Sequence, residues 1–117
     1  MKKILIIDDE IELLQSMKFS LEAEGFSVAV CSDCRLASEQ ACTLNPDLII
    51  TDLMMPFLSG YEVILALREA EETKAIPILL MSSVIPAAKQ KHFGWNAFLR
   101  KPFDNGALLQ AVRALLT

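Results

Sequence analysis

Short, almost unbroken apolar runs alternate along this chain with stretches in which apolar residues recur every third or fourth position. Ile4-Leu5-Ile6-Ile7, Leu48-Ile49-Ile50 and Ile78-Leu79-Leu80-Met81 have the length of strands and the unbroken apolarity of strands covered on both faces. The pattern predicts strands at residues 4–7, 26–31, 47–51, 76–81 and 96–100, with Pro77 tolerable at the start of the fourth. Between them, Ile11, Leu14, Met17 and Leu21 mark one face of a helix that Gly25 can stop. Leu36, Ala37, Gln40 and Ala41 suit a short helix running toward Asn45-Pro46. Ser59-Gly60-Tyr61-Glu62 has the S-x-x-E form of a capping box, which predicts a helix from near Gly60 to about Glu71. A fourth helix falls between Ser82 and Gly94. Asp104 caps a last helix whose Leu108, Leu109, Val112, Leu115 and Leu116 turn inward.

Five strands alternating with five helices through right-handed crossovers predict a three-layer, doubly wound α/β sandwich. Its five-stranded parallel sheet has the expected order 2-1-3-4-5. A length of 117 residues fits one domain, 1–117, and an apolar fraction of 53% is ample for its core. No linker, repeat or low-complexity segment interrupts it.

Charge and cysteine usage remove several function classes. The formal charge is −4 and no basic cluster exists, so direct nucleic-acid binding by this domain is not expected. The apolar runs are far shorter than a membrane span, and Met1-Lys2-Lys3 leads straight into a strand, which points to a soluble, cytoplasmic protein with no membrane partner. Cys31, Cys34 and Cys42 are an odd number and predict no disulfide framework. Cys31-Ser32-Asp33-Cys34 has the spacing of a redox motif but lacks the usual Trp, Gly or Pro between its sulfurs, so small buried apolar thiols are the simpler reading. Zinc would want four ligands, and only three cysteines and the distant His92 exist.

The informative polar residues stand at strand ends. Asp8 and Asp9 close the first apolar run and Asp52 the third, so two parallel strands bring three carboxylates to the carboxyl edge of the sheet, where open α/β proteins bind ligands. Like charges about 4 Å apart repel by roughly 4 kcal/mol at an effective dielectric near 20. A hard divalent cation with oxygen ligands, above all Mg²⁺, offsets that repulsion. Ser82 follows the fourth strand and Lys101 the fifth, adding a hydroxyl and an ammonium. Such a set can hold a metal and a phosphoryl group together.

In this combination the chain resembles the receiver domain of two-component response regulators, the chemotaxis-type, flavodoxin-like domain. The likeness rests on Asp8-Asp9, on Asp52-Leu53-Met54-Met55-Pro56 with Gly60, on Ser82, and on Lys101-Pro102-Phe103, in order at successive strand ends. It implies that Asp52 accepts a phosphoryl group from a phosphohistidine on a sensor histidine kinase or phosphotransfer protein. It also implies Mg²⁺ held by Asp8, Asp9, Asp52 and the backbone carbonyl of Met54, with Lys101 on the equatorial phosphoryl oxygens and Ser82 donating to one of them. The Lys101-Pro102 bond is expected to be cis. Phe98 matches the switch aromatic, turning inward behind Ser82 so that the fourth helix, fifth strand and fifth helix present a changed surface to an output domain, a downstream protein or a second copy of the chain. The domain would be no enzyme acting on a separate substrate. It would promote its own phosphorylation and slow autodephosphorylation, slow because Met54 and Val84 are apolar and orient no water.

The chain departs from that pattern in places. Residues 82–94 are about three residues shorter than is usual, and Pro86 clips the start of the fourth helix. Trp95 replaces a small residue and is expected near the altered face. For the rest, the plain readings hold: Met54 and Met55 as packing residues apart from the Met54 carbonyl, His92 as a solvated helix residue, and Glu69, Glu71, Glu72 and Lys74 as a solvated helix end. Aspartates at a strand end can also merely cap the next helix. The alternatives are a phosphorylation-independent pseudo-receiver acting as a protein-binding module, a metal-dependent phosphatase or phosphotransferase, and a flavin-type binding module. The phosphatase would want a second acid where Leu53-Met54-Met55 stands. The flavin module would want a Ser, Thr and Gly-rich first loop where Asp8-Asp9 repels phosphate.

Overall fold

A computed structural model describes residues 1–86 and 94–117. Its elements in chain order are β1 (Lys3–Ile7), α1 (Ile11–Ala23), β2 (Ser27–Cys31), a 3-10 turn (Cys34–Leu36), α2 (Ala37–Leu44), β3 (Leu48–Asp52), α3 (Gly60–Glu69), β4 (Ile78–Ser82), β5 (Ala97–Arg100) and α4 (Asn105–Leu116). All strand pairs are parallel, and the order is β2-β1-β3-β4-β5. That is the expected doubly wound sheet. The expected fourth helix and His92 fall largely or wholly on residues 87–93, outside the described residues, so the last helix is α4 here.

The side-chain period of two divides the core between the faces of the sheet. Leu5, Ile7, Ile49, Ile78 and Leu80 pack with α2 and α3 through Ala37, Ala41, Val63, Ile64 and Leu67. Ile4, Ile6, Leu48, Ile50, Leu79 and Met81 pack with α1 and α4 through Leu14, Met17, Leu21, Leu108 and Val112. Each fully buried Ile or Leu contributes about 1.5–3 kcal/mol of transfer free energy. Unbroken apolar strands were therefore the correct signal for a sheet covered twice.

Local chemistry sets the helix ends. The capping box forms as expected, with the Glu62 N–H donating to Ser59 Oγ at 3.4 Å and the Ser59 N–H donating to Glu62 Oε1 at 3.2 Å. Asp104 Oδ1 accepts from the Ala107 N–H at 2.8 Å and starts α4. Gly25, at φ 95°, ends α1 in the left-handed region that glycine enters without strain.

Several expectations need correction. Ile11 is 55% exposed and Leu36 52% exposed: Ile11 is the first residue of α1, and Leu36 ends the 3-10 turn that precedes α2. Met54 is 65% exposed, whereas Met55 packs against the core. Strand and helix limits move by one or two residues, and β3 includes Asp52, which ends the strand itself. Cys31 and Cys34 are buried thiols and Cys42 is half-buried, all three unpaired. Glu69, Glu71, Glu72 and Lys74 are exposed, as a solvated helix end should be.

Candidate phosphoacceptor and metal site

The carboxyl edge of the sheet gathers the acids. Asp8 follows β1 fully buried, Asp52 ends β3 at 4% exposure, and Asp9 is exposed. One carboxylate oxygen from each of Asp8, Asp9 and Asp52 lies within 4.8 Å of the others. An all-oxygen donor set of this size suits a hard dication such as Mg²⁺ and disfavours thiophilic metals.

Lys101 enters from the end of β5. Its Nζ lies 2.9 Å from Asp8 Oδ2, 3.3 Å from Asp52 Oδ1 and 3.4 Å from Glu10 Oε1. The Lys101–Pro102 bond is cis, as expected. The other Asp8 oxygen, Oδ1, accepts from the Glu10 N–H at 2.9 Å. Glu10, not either aspartate, is the N-cap of α1, and no side chain caps that helix. Simple helix capping therefore does not account for the acid pair.

Burial and proximity of charge perturb these groups in a consistent way. Asp52 is pushed up to about 6, first by burial and then by the facing charge of Asp8, with Lys101 pulling it back. Burial likewise raises Asp8, against the Glu10 N–H and Lys101. Burial pulls Lys101 down, but the bonds and charges of Asp8 and Asp52 outweigh it and hold the ammonium above its usual value. Three carboxylates face the one ammonium of Lys101, an excess of negative charge that a divalent cation relieves.

The remaining expected residues divide between the site and the sheet behind it. Ser82 ends β4, 1% exposed, and its Oγ accepts from the Val84 N–H at 3.0 Å, leaving its own proton available to an acceptor. Met54 and Val84 stand exposed at the rim. Phe98 lies in β5 opposite Leu80 and packs, half-buried, against the core on the α2 and α3 side. Trp95, just before β5, is also half-buried, its ring centroid 5.8 Å from that of Tyr61 on α3. Gly60 touches the backbone of the site, for a Cβ there would collide with the Asp52 carbonyl oxygen. Glu10 was missed by sequence reasoning, although its place directly after two aspartates was the available signal.

The sequence matches the family model of the response regulator receiver domain over residues 4–113. The transcriptional regulatory protein CpxR of Escherichia coli K12 is 36% identical over 119 residues, covering 99% of this chain and 50% of CpxR. The DNA-binding dual master transcriptional regulator RpaA of Synechocystis is 37% identical over 120 residues, covering 99% of this chain and 49% of RpaA. The chain thus spans about half the length of these curated relatives. Among solved structures, the chemotaxis protein CheY4 of Vibrio cholerae superposes with a TM-score of 0.93 at 32% identity, covering 99% of both chains. By family model, relatives and fold together, this chain belongs to the response regulator receiver domains of two-component signal transduction.

Proposed function

We propose that residues 1–117 form a single receiver domain in which Asp52 is the phosphoacceptor. An Asp52 carboxylate oxygen attacks the phosphorus of a phosphohistidine on a sensor kinase or phosphotransfer protein. The new O–P bond forms as the P–N bond breaks, and the imidazole leaves with the electron pair and takes a proton. The Asp52 carboxylate must be ionised to attack, and the Lys101 ammonium favours that form. Bound Mg²⁺, held by Asp8, Asp9, Asp52 and the Met54 carbonyl, would supply charge neutralisation for the phosphoryl oxygens. Lys101 places its ammonium where those oxygens gather charge, and the Ser82 hydroxyl donates to one of them.

The switch follows from the same contacts. As the Ser82 hydroxyl donates to the phosphoryl group it is drawn toward the site, and Phe98 moves into the space vacated behind it. The surface that β5 and α4 present changes, and an output domain, a downstream protein or a second copy of the chain reads it. The domain acts in the cytoplasm, where its kinase partner delivers the phosphoryl group, and it contacts no nucleic acid itself. Among the described residues no helix is long and apolar enough to cross a membrane.

The observation that carries this reading is one lysine held within 3.3 Å of two buried carboxylates beside a third. Incubation with a low-molecular-weight acyl phosphate and Mg²⁺, followed by intact mass measurement, tests it. The expected product gains one phosphoryl group, and Asp52→Asn gains none. An unmodified native chain, or modification of both, would refute the reading and favour a phosphorylation-independent binding module.

A further inference from the structure

The loop between β3 and α3 carries the Met54 carbonyl and is held in an uncommon conformation. Phe57, 73% exposed, has a φ of 74°, a region that a bulky residue enters only when its surroundings impose it. The Leu58 N–H donates to the Pro56 carbonyl at 2.9 Å, closing a γ-turn at Phe57, and the turn after β2 braces it. Cys34 Sγ donates to the Pro56 carbonyl at 3.0 Å and reaches the Leu58 carbonyl at 3.8 Å, gripping the chain on both sides of Phe57. Arg35 lies over the Phe57 ring, its Cζ 3.9 Å from the centroid. Asp33 fixes the guanidinium in turn, receiving Arg35 Nε at 3.0 Å and Nη2 at 2.9 Å. Asp9, one of the acids of the site, lines the same cavity of about 200 Å³ as Asp33, Cys34, Arg35, Pro56 and Phe57. At the far end of the loop the Gly60 N–H donates to the Leu53 carbonyl at 2.7 Å, which ties the loop to the backbone following Asp52.

We propose that Asp33, Cys34 and Arg35 form a latch that clamps the β3–α3 loop through Phe57 and so presets the Met54 carbonyl for Mg²⁺, with Cys34 and Arg35 as positioning residues. The latch rests on the phosphoacceptor reading and gives it a determinant outside the site. A thiol donor and a stacked cation are both needed. The thiol fixes the backbone carbonyls, and the guanidinium holds the ring whose backbone would otherwise relax.

The latch is tested by titrating Mg²⁺ into the metal-free protein and by amide exchange of Leu58 and Gly60 before metal is added. Arg35→Ala and Cys34→Ala are expected to bind Mg²⁺ about tenfold more weakly, the scale of lost outer support for a metal ligand, and to exchange both amides faster. Cys34→Ser keeps a donor for the Pro56 carbonyl and is expected to restore most of the affinity. Val112→Ala, in the opposite core, lowers Tm and is expected to leave Mg²⁺ affinity alone. Unchanged affinity in Arg35→Ala and Cys34→Ala, with native phosphorylation intact, would overturn the latch and spare the phosphoacceptor. A loss in Val112→Ala as large as theirs would also overturn it, since destabilisation alone would then suffice. A native chain that neither binds Mg²⁺ nor accepts phosphate would overturn both.

Discussion

Burial and the facing charge of Asp8 lift the Asp52 carboxyl to about 6 from its ordinary 3.8. Between those values the folded protein keeps a proton that the unfolded chain has released. The stability from this group is complete below the lower value and lost as pH rises through the upper one. In metal-free protein near neutral pH, Asp52→Asn should therefore be stabilising, by about 2 kcal/mol, and the gain should vanish near pH 4. Thermal unfolding at the two pH values checks this, and a gain that is equal at both would contradict it. Lys101 works in the opposite sense, since its loss leaves Asp8 and Asp52 without a counter-charge. Lys101→Met should cost about 3 kcal/mol near neutral pH in denaturant unfolding, and clearly less in acid. An equal loss at both pH values would count against the pairing. Asp8, Asp9, Asp52, Ser82 and Lys101 were legible in the sequence because each ends or follows a strand. Glu10 and the contacts of Arg35 with Phe57 were not, because exposed side chains on separate loops leave no periodic trace.

Among the elements, α3 is tied most directly to the site. Its Ser59 and Glu62 cap is local, so Ser59→Ala should cost about 1 kcal/mol of stability. Gly60 differs, since an added Cβ would collide with the Asp52 carbonyl oxygen and force the backbone apart. Gly60→Ala should thus weaken Mg²⁺ binding as well as lowering the denaturation midpoint, whereas Ser59→Ala should shift the midpoint with far less effect on the metal. Equal Mg²⁺ affinity in Gly60→Ala and native protein would sink that distinction. Strand identity was legible because a sheet covered on both faces demands unbroken apolar runs, and β1, β3 and β4 supply them. The inward faces of α1 and α2 were read slightly too wide. Ile11 and Leu36 share the helical spacing of their buried neighbours, but Ile11 is the first residue of α1 and Leu36 lies in the 3-10 turn before α2, and both are exposed.

At the scale of the whole molecule, a repulsive acidic edge is balanced by a five-stranded sheet covered on both faces by helices, and a bound cation should stabilise the entire fold. Mg²⁺ at about a hundred times its Kd should raise the free energy of unfolding by about 2.7 kcal/mol, reversibly on chelation. β4 and β5 adjoin the site in register, with Ser82 opposite Arg100 and Leu80 opposite Phe98. Topology and the acidic edge could be read from pattern alone because both follow from where strands stop. Nothing local in the sequence, by contrast, says which loop grips the β3–α3 loop, since Cys34 meets Pro56 across 22 positions. The most direct test of the central claim is reductive trapping of the phosphorylated chain with borohydride, which converts an aspartyl phosphate to homoserine, followed by peptide mapping. The expected outcome is homoserine at position 52 alone, formed with Mg²⁺ and abolished by chelation. Homoserine at another aspartate, or equal yield without the metal, would contradict it.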